Sequence, residues 1–149
     1  MSAKLPVSVL VVIHTAALDV LLLERSARPG FWQSVTGSLE VLDEQPQAAA
    51  RRELREETGI EAALPAIEDW RIANAFEIYA QWSHRFAPGT THNTEHVFGL
   101  RLPGRLAVTL APQEHRAQLW LPWREAAQKC FSWSNRDAIC MLPARAAPA

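Results

Sequence analysis

The first third of the chain alternates between apolar runs and short polar segments. Residues 7–14 (VSVLVVIH) are rich in β-branched side chains and predict a buried strand. Residues 19–25 (DVLLLER) predict a second strand that follows directly, as in a hairpin. Residues 26–37 are interrupted by a proline and two glycines, so we expect a loop there with at most a short strand.

The clearest helical pattern covers residues 46–59. It begins with a proline, continues with Ala, Leu, Glu and Arg, and ends at Gly59. Beyond it, we expect three more strands and one loop: strands near residues 68–79, 94–102 and 117–121, and a loop at 85–93.

Two shorter helices are predicted near the end of the chain. Pro122 can open a helix that runs through Lys129. Ser134 is a candidate N-cap, with Asp137 three residues later as a variant of the capping box, and opens a helix towards Met141. Strands and helices are intermixed without regular alternation, which predicts an α/β or α+β domain with a mixed sheet.

Composition limits the classes of function. The 149 residues suit one domain, 1–149, in which we expect 143–149 to be a frayed tail. A net charge of −1 without a basic block gives no reason to expect nucleic acid as a partner. The apolar run at 7–13 is too short to span a membrane, and no signal-peptide pattern is present. Two cysteines without a disulfide or zinc pattern favour the cytoplasm, and both monomer and homodimer stay open.

The segment RRELREETG (51–59) carries three glutamates, Glu53, Glu56 and Glu57, on one helix face. Like charges at these spacings destabilise a helix by about 0.2–0.5 kcal/mol per pair. One interpretation is a solvated face, with Arg52 and Glu56 as an i,i+4 pair. The other is a cation between the carboxylates, since oxygen ligands suit Mg²⁺ or Mn²⁺, which often arrive with substrate phosphates.

Residues 37–60 (GSLEVLDEQPQAAARRELREETGI) resemble the signature of the Nudix hydrolase family. The match is complete from Glu44 onward, but six residues instead of five separate Gly37 from Glu44, and Leu42 replaces a frequent glycine. The resemblance implies an α/β/α sandwich with a mixed central β-sheet and a catalytic loop and helix. It also implies that Glu53 and Glu57 bind metal, with Glu56 as an additional ligand, and that Arg52 orients a neighbouring carboxylate.

Three other segments, at 32–38, 76–98 and 132–139, are similar to the dihydroneopterin triphosphate diphosphatases within this family. The similarity implies that Glu114 completes the metal site and is one candidate general base. It implies substrate contacts at the following positions: Lys4, Arg25, Thr36, Phe76, Glu77, Ile78, Tyr79 and Ser132. Phe76 and Ile78 have packing in the core as an alternative role, and Trp32 and Trp133 are either stacking or core residues.

Four histidines, His84, His92, His96 and His115, lack the close spacing of a zinc motif. Because Mg²⁺ prefers oxygen ligands, we expect these histidines to have structural or loop hydrogen-bonding roles.

The resulting expectation is an enzyme that uses Mg²⁺, or Mn²⁺, to split dihydroneopterin triphosphate into a monophosphate and diphosphate in folate biosynthesis. One alternative changes the substrate to a nucleoside or oxidised-nucleotide triphosphate. Another is a Nudix fold that only senses a ligand. The intact set of carboxylates argues against a sensor, because a binder without catalysis does not need them.

Overall fold

The computed structural model describes residues 3–145, which form a mixed β-sheet with helices on both faces. The strands are β1 (Val7–Thr15), β2 (Asp19–Arg25), β3 (Trp32–Gln33), β4 (Val35–Ser38), β5 (Ile67–Glu77), β6 (His92–Leu102) and β7 (His115–Pro122). The helices are α1 (Pro46–Thr58), α2 (Trp123–Lys129), α3 (Trp133–Cys140) and α4 (Leu142–Arg145), with 3₁₀ turns at Leu64–Ala66 and Ala80–Arg85.

The central path of the sheet runs β3-β2-β1-β6-β5, with β7 added to β2 and β4 added to β1. Strands β1 and β6 are parallel, with Ser8 opposite Glu95 and Leu10 opposite Val97, whereas the other pairs are antiparallel. The sheet is therefore mixed, which confirms the predicted class.

Alternation along β1 explains the layers. Val9 and Val11 pack with Leu54 of α1 in one apolar cluster, whereas Leu10 and Val12 pack with Ile139 of α3 in another. Successive side chains of a strand point to opposite faces, so α1 and α3 cover opposite faces of the sheet. This α/β/α arrangement agrees with the expectation from the sequence.

The segment 32–38 pairs with parts of β1 and β2 and so separates these two strands. β4 pairs with the first half of β1, from Ser8 to Val11, whereas β3 pairs with the end of β2, at Leu23 and Glu24. The direct register between β1 and β2 is His14 with Val20. The predicted loop at 26–37 thus contains two short strands, and this separation leaves room for a cavity.

Three local predictions need correction. Strand β5 ends at Glu77 and β6 begins at His92, each two residues earlier than predicted, and these two residues pair with each other. The predicted loop at 85–93 therefore ends at residue 91. The N-cap of α3 is Ser132 instead of Ser134: the Ser132 hydroxyl accepts a hydrogen bond from the Asn135 backbone N–H at 3.2 Å. Ser134 lies buried inside the first turn.

The expected frayed tail at 143–149 is partly ordered. Leu142–Arg145 form a helical turn, and the Arg145 guanidinium donates a hydrogen bond to the Trp70 carbonyl at 2.6 Å. Residues 146–149 lie outside the described residues. Within 3–145, no helix has both the length and the apolar composition needed to cross a membrane.

Candidate active site

The three glutamates of α1 have different surroundings. Glu53 and Glu57 are buried, at 8% and 1% exposure, whereas the Glu56 side chain is 48% exposed. A solvated helix face would leave all three in water. Burial of two neighbouring carboxyl groups is costly unless a partner compensates it, which makes a surface role untenable for Glu53 and Glu57.

Arg52 connects the middle of this helix to the preceding loop. Its guanidinium donates to Glu53 at 2.8 Å, to Glu44 at 3.1 Å and to the Ser38 carbonyl at 3.1 Å. It also pairs with Glu40 at 2.7 Å. Several fixed hydrogen bonds on one guanidinium orient the Glu53 carboxylate, which is the role implied by the resemblance.

Gly37 lies directly against Glu53. A Cβ atom at position 37 would overlap the Glu53 carboxyl group, so a glycine is needed for this close approach. The additional residue before Glu44 is accommodated farther along, in an exposed turn where the Glu44 N–H donates to the Val41 carbonyl and Leu42 is 77% exposed. Gly37 therefore contacts Glu53 even though six residues separate it from Glu44.

Glu57 lies close to Glu114, the residue before β7, and to His115, the first residue of β7. One potential ligand atom from each of these residues lies within 4.8 Å of the other two. A register shift between β2 and β7 sets His115 opposite Arg25, and such bulges re-aim side chains beside active sites. The far ring nitrogen of His115, Nε2, is 3.1 Å from the Gln33 side-chain nitrogen, which leaves Nδ1 on the Glu57 side.

Burial alters the ionisation of Glu57 and His115. Burial, then the hydrogen bond and charge shared with Glu53, raise the pKa of Glu57 well above its usual range. Burial and the nearby Arg25 lower the pKa of His115 to about 4, so the imidazole is neutral at pH 7. Within residues 3–145, the Glu57 Oε1 atom is buried without a hydrogen-bond partner. The neutral imidazole accepts from the Gln33 amide at Nε2 and so carries its proton on Nδ1, which leaves the carboxylate oxygens of Glu57 and Glu114 as the atoms here that fit a divalent cation.

These residues open into a cavity of about 570 Å³. It is lined by most of the residues expected to contact substrate: Lys4, Arg25, Thr36, Phe76, Ile78, Tyr79 and Ser132. Glu56 and Glu77 are not part of this lining, since Glu56 points towards solvent and Glu77 alternates away from Phe76 and Ile78. Ser132 both lines the cavity and caps α3.

Aromatic and cationic side chains form the mouth of the cavity. The Arg25 guanidinium lies 5.3 Å from the centre of the Trp82 ring, which packs edge-on against Tyr79 and Phe131. The two tryptophans considered for stacking are outside the lining: Trp32 packs under Lys129, and Trp133 contacts Phe76 edge-on.

Several lining residues were not identified from the sequence: Trp82, Arg85, Asn93, Glu95 and His115. His115 has a hydrogen bond to Gln33, as predicted for it, and it also lies close to Glu57 and Glu114, which the spacing of the histidines does not indicate. Its position immediately after Glu114, at the start of a strand, is the one sequence signal that could have indicated it.

Comparison with known proteins agrees with this geometry. Residues 4–142 match the NUDIX domain model. The chain is 45% identical to the dihydroneopterin triphosphate diphosphatase of Escherichia coli K12 over 139 residues, which is 91% of each chain. It is 37% identical to the protein of the same name from Haemophilus influenzae over 135 residues, 89% of this chain and 84% of that one.

Solved structures give the same result. The structure of the E. coli dihydroneopterin triphosphate pyrophosphohydrolase superposes with a TM-score of 0.85 at 43% identity, covering 93% of this chain and 95% of that one. A Nudix protein from Listeria monocytogenes, at 21% identity and a TM-score of 0.78, shares the fold, with 95% of this chain and 94% of that one covered.

The chain belongs to the Nudix family. It is a Nudix hydrolase, of a class that uses a divalent metal to act on nucleotide-like triphosphates, and its curated relatives are diphosphatases.

Proposed function

We propose that this enzyme hydrolyses dihydroneopterin triphosphate to dihydroneopterin monophosphate and diphosphate, the reaction that serves folate biosynthesis. The observation that carries the proposal is the 45% identity to the E. coli diphosphatase across 91% of both chains. An alignment over that much of the chain extends well beyond the signature helix. A cytoplasmic location, and a monomeric or homodimeric state, stay predictions.

The metal in this proposal is Mg²⁺, with Mn²⁺ as a substitute, held by Glu53, Glu57 and Glu114. When bound, the ion supplies positive charge that neutralises phosphate oxygens and makes water a stronger acid. Glu56 is an outer contributor in this account, because its side chain is half exposed and pairs with Arg52 at 3.5 Å.

Lys4 and Arg25 bind the phosphate chain. Both are half-buried in the cavity wall, and both lie within electrostatic reach of Glu114 and a glutamate of α1. Burial and repulsion from Arg85 lower the pKa of Lys4, so an anion between these cations relieves their repulsion. Positive charge fixed at this place stabilises the leaving diphosphate as its negative charge grows. Thr36 borders the same wall, with its hydroxyl held by the Val9 carbonyl at 2.9 Å.

Glu114 is our candidate for the general base. Among Glu53, Glu57 and Glu114, it is the exposed residue. It lies on a loop, where its backbone carbonyl accepts a hydrogen bond from the Ser26 N–H at 2.9 Å. An accessible carboxylate close to buried ones can accept the proton of an attacking water. Glu57 is less suited to this role because it is buried.

Product analysis tests the proposal. With purified enzyme, Mg²⁺ and dihydroneopterin triphosphate, without added pyrophosphatase, we expect equal amounts of diphosphate and dihydroneopterin monophosphate. Orthophosphate as the first product would exclude the proposed reaction. Absence of turnover on any triphosphate, together with tight binding, would instead indicate a ligand sensor.

A further inference from the structure

Glu95 lies in the interior of the sheet, on the face that carries α3. It alternates in phase with Val97, which belongs to the apolar cluster beneath α2 and α3. The residue is only 5% exposed, yet it lines the cavity. Neither the signature nor the metal group accounts for a carboxyl group at this place.

The Glu95 carboxyl group has unused hydrogen-bonding capacity. Its Oε1 atom is buried without a partner, and no ion pair reaches the group within residues 3–145. Burial raises the pKa of Glu95 to about 7, with the Ser134 hydroxyl acting weakly in the opposite direction. An unpaired buried acceptor is destabilising, and more so when it is charged. A ligand that donates hydrogen bonds would recover that cost.

Asn93 presents a second unpaired acceptor on the same strand face. Its Nδ2 atom donates to the Ser8 hydroxyl at 2.7 Å, and Oδ1 is buried without a partner among the residues that the structure describes. Ser8, Asn93 and Glu95 all line the cavity. Two neighbouring acceptors without donors indicate that this part of the cavity receives a ligand edge rich in N–H groups.

The cavity is therefore polarised. The charges of Glu114 and of glutamates on α1 raise the pKa values of Lys4 and Arg25, whereas no charged side chain within residues 3–145 alters the pKa of Glu95. The cations and the metal ligands form one end, where phosphates bind. The acceptors at Asn93 and Glu95 form another part, separated from the charges, where the ring of a substrate would lie.

We propose that Glu95 determines specificity by accepting hydrogen bonds from the adjacent ring N–H and exocyclic amino group of a 2-amino-pyrimidin-4-one. This inference rests on the proposed function, in which the ligand is a pterin triphosphate. An ionised carboxylate only accepts hydrogen bonds, and its two oxygens match two parallel N–H donors. Guanine carries the same edge, whereas adenine places a lone pair opposite the carboxylate.

Glu95→Gln tests this role, because glutamine keeps the shape and replaces one acceptor oxygen by an NH₂ donor. We expect kcat/KM for dihydroneopterin triphosphate to fall by about tenfold or more, the discrimination typical of a paired edge contact. The value for dATP should change less than about threefold. Glu68→Gln is the matched control, since Glu68 is an exposed glutamate on β5 outside the cavity.

Comparison of dGTP with dITP isolates the amino group, since these nucleotides differ only there. The wild-type enzyme should prefer dGTP, and Glu95→Gln should close that gap. If the variant keeps both the pterin-to-dATP and the dGTP-to-dITP ratios, the role of Glu95 is wrong. An equal loss on every substrate, dATP included, or a lowered melting temperature, would also overturn it, because either result indicates a structural role.

The same data separate this inference from the proposed function. A wild-type enzyme that does not prefer dihydroneopterin triphosphate contradicts the proposed function, whatever the variant does. A wild-type enzyme with that preference, combined with an unaffected Glu95→Gln variant, contradicts the inference alone.

Discussion

The Oε1 atom of Glu57 lies 3.7 Å from Nδ1 of His115, and both atoms are buried without a hydrogen-bond partner in the described part of the chain, residues 3–145. The distance is too long for a hydrogen bond, and the imidazole is neutral because burial and Arg25 lower the pKa of His115 to about 4. Because the Gln33 amide donates to Nε2 of His115, the neutral ring carries its proton on Nδ1, the nitrogen on the Glu57 side. The unpaired Glu57 oxygen fits a metal ligand, and the N–H of His115 beside it fits a residue that orients this ligand.

Glu57→Gln tests the carboxylate. We expect turnover to fall by orders of magnitude, because the residue is a metal ligand in our account. Without metal, the variant should melt at the same or a higher temperature, since the substitution removes repulsion between Glu53 and Glu57. Thermal melts in a chelator and Mg²⁺-dependent assays measure the two effects. Near-normal activity would refute the ligand role.

His115→Ala tests the imidazole. Loss of a ligand, or of a residue that orients one, should weaken metal affinity by about 10–100-fold. Titration with Mn²⁺, followed by electron paramagnetic resonance without substrate, measures this directly. His84→Ala is the control, because His84 is exposed and outside the cavity lining. Equal Mn²⁺ affinity in both variants would show that His115 only packs against the site.

Gly37→Ala tests the contact with Glu53. The added methyl group must displace the Glu53 carboxyl group, so we expect metal affinity and kcat to fall by at least about tenfold. Gly104→Ala is the matched control, since a Cβ there meets no atom within 4 Å. Both variants should keep a cooperative thermal transition. If Gly37→Ala retains wild-type kcat and metal affinity, the position of Glu53 does not matter for activity.

Glu95 should also make the free energy of unfolding depend on pH. Its pKa is raised from 4.5 to about 7 in the folded protein, so the folded state keeps a proton that the unfolded state has released. The contribution of Glu95 to the free energy of unfolding is therefore complete below pH 4.5. It is lost as the pH rises through about 7, by up to about 3 kcal/mol.

Denaturant melts of metal-free protein at pH 5 and pH 8 measure this loss. Glu95→Gln should become more stable relative to wild type at pH 8 than at pH 5, whereas Glu68→Gln should show no such trend. A constant difference at both pH values would mean that Glu95 ionises normally.

Local sequence is sufficient to predict α1, because its proline start, helix-forming interior and Gly59 end all act within one segment. The same holds for β1 and β2, whose apolar runs match the buried strands. The carboxylates of the signature were identified because their spacing on one helix is itself the chemical pattern.

His115 and Glu95 were not identified from the sequence, because long-range pairing brings them to the cavity. His115 reaches the site through a shifted register between β2 and β7, and Glu95 through the parallel pairing of β6 with β1. No local period distinguishes their alternation from that of ordinary strand residues. The N-cap of α3 was misplaced for a related reason: Ser132 and Ser134 are both suitable caps, and packing buries Ser134.

The proposed substrate is tested most directly by kcat/KM, measured with Mg²⁺ for dihydroneopterin triphosphate, dATP, dGTP and an oxidised dGTP. All four offer the same phosphates to Lys4, Arg25 and the metal, so a preference can arise only from the ring and the groups around it. We predict that the pterin exceeds dATP and dGTP by at least about tenfold, or roughly 1.4 kcal/mol. Equal efficiency on dATP or the oxidised nucleotide would contradict the proposed substrate and leave only the Nudix assignment.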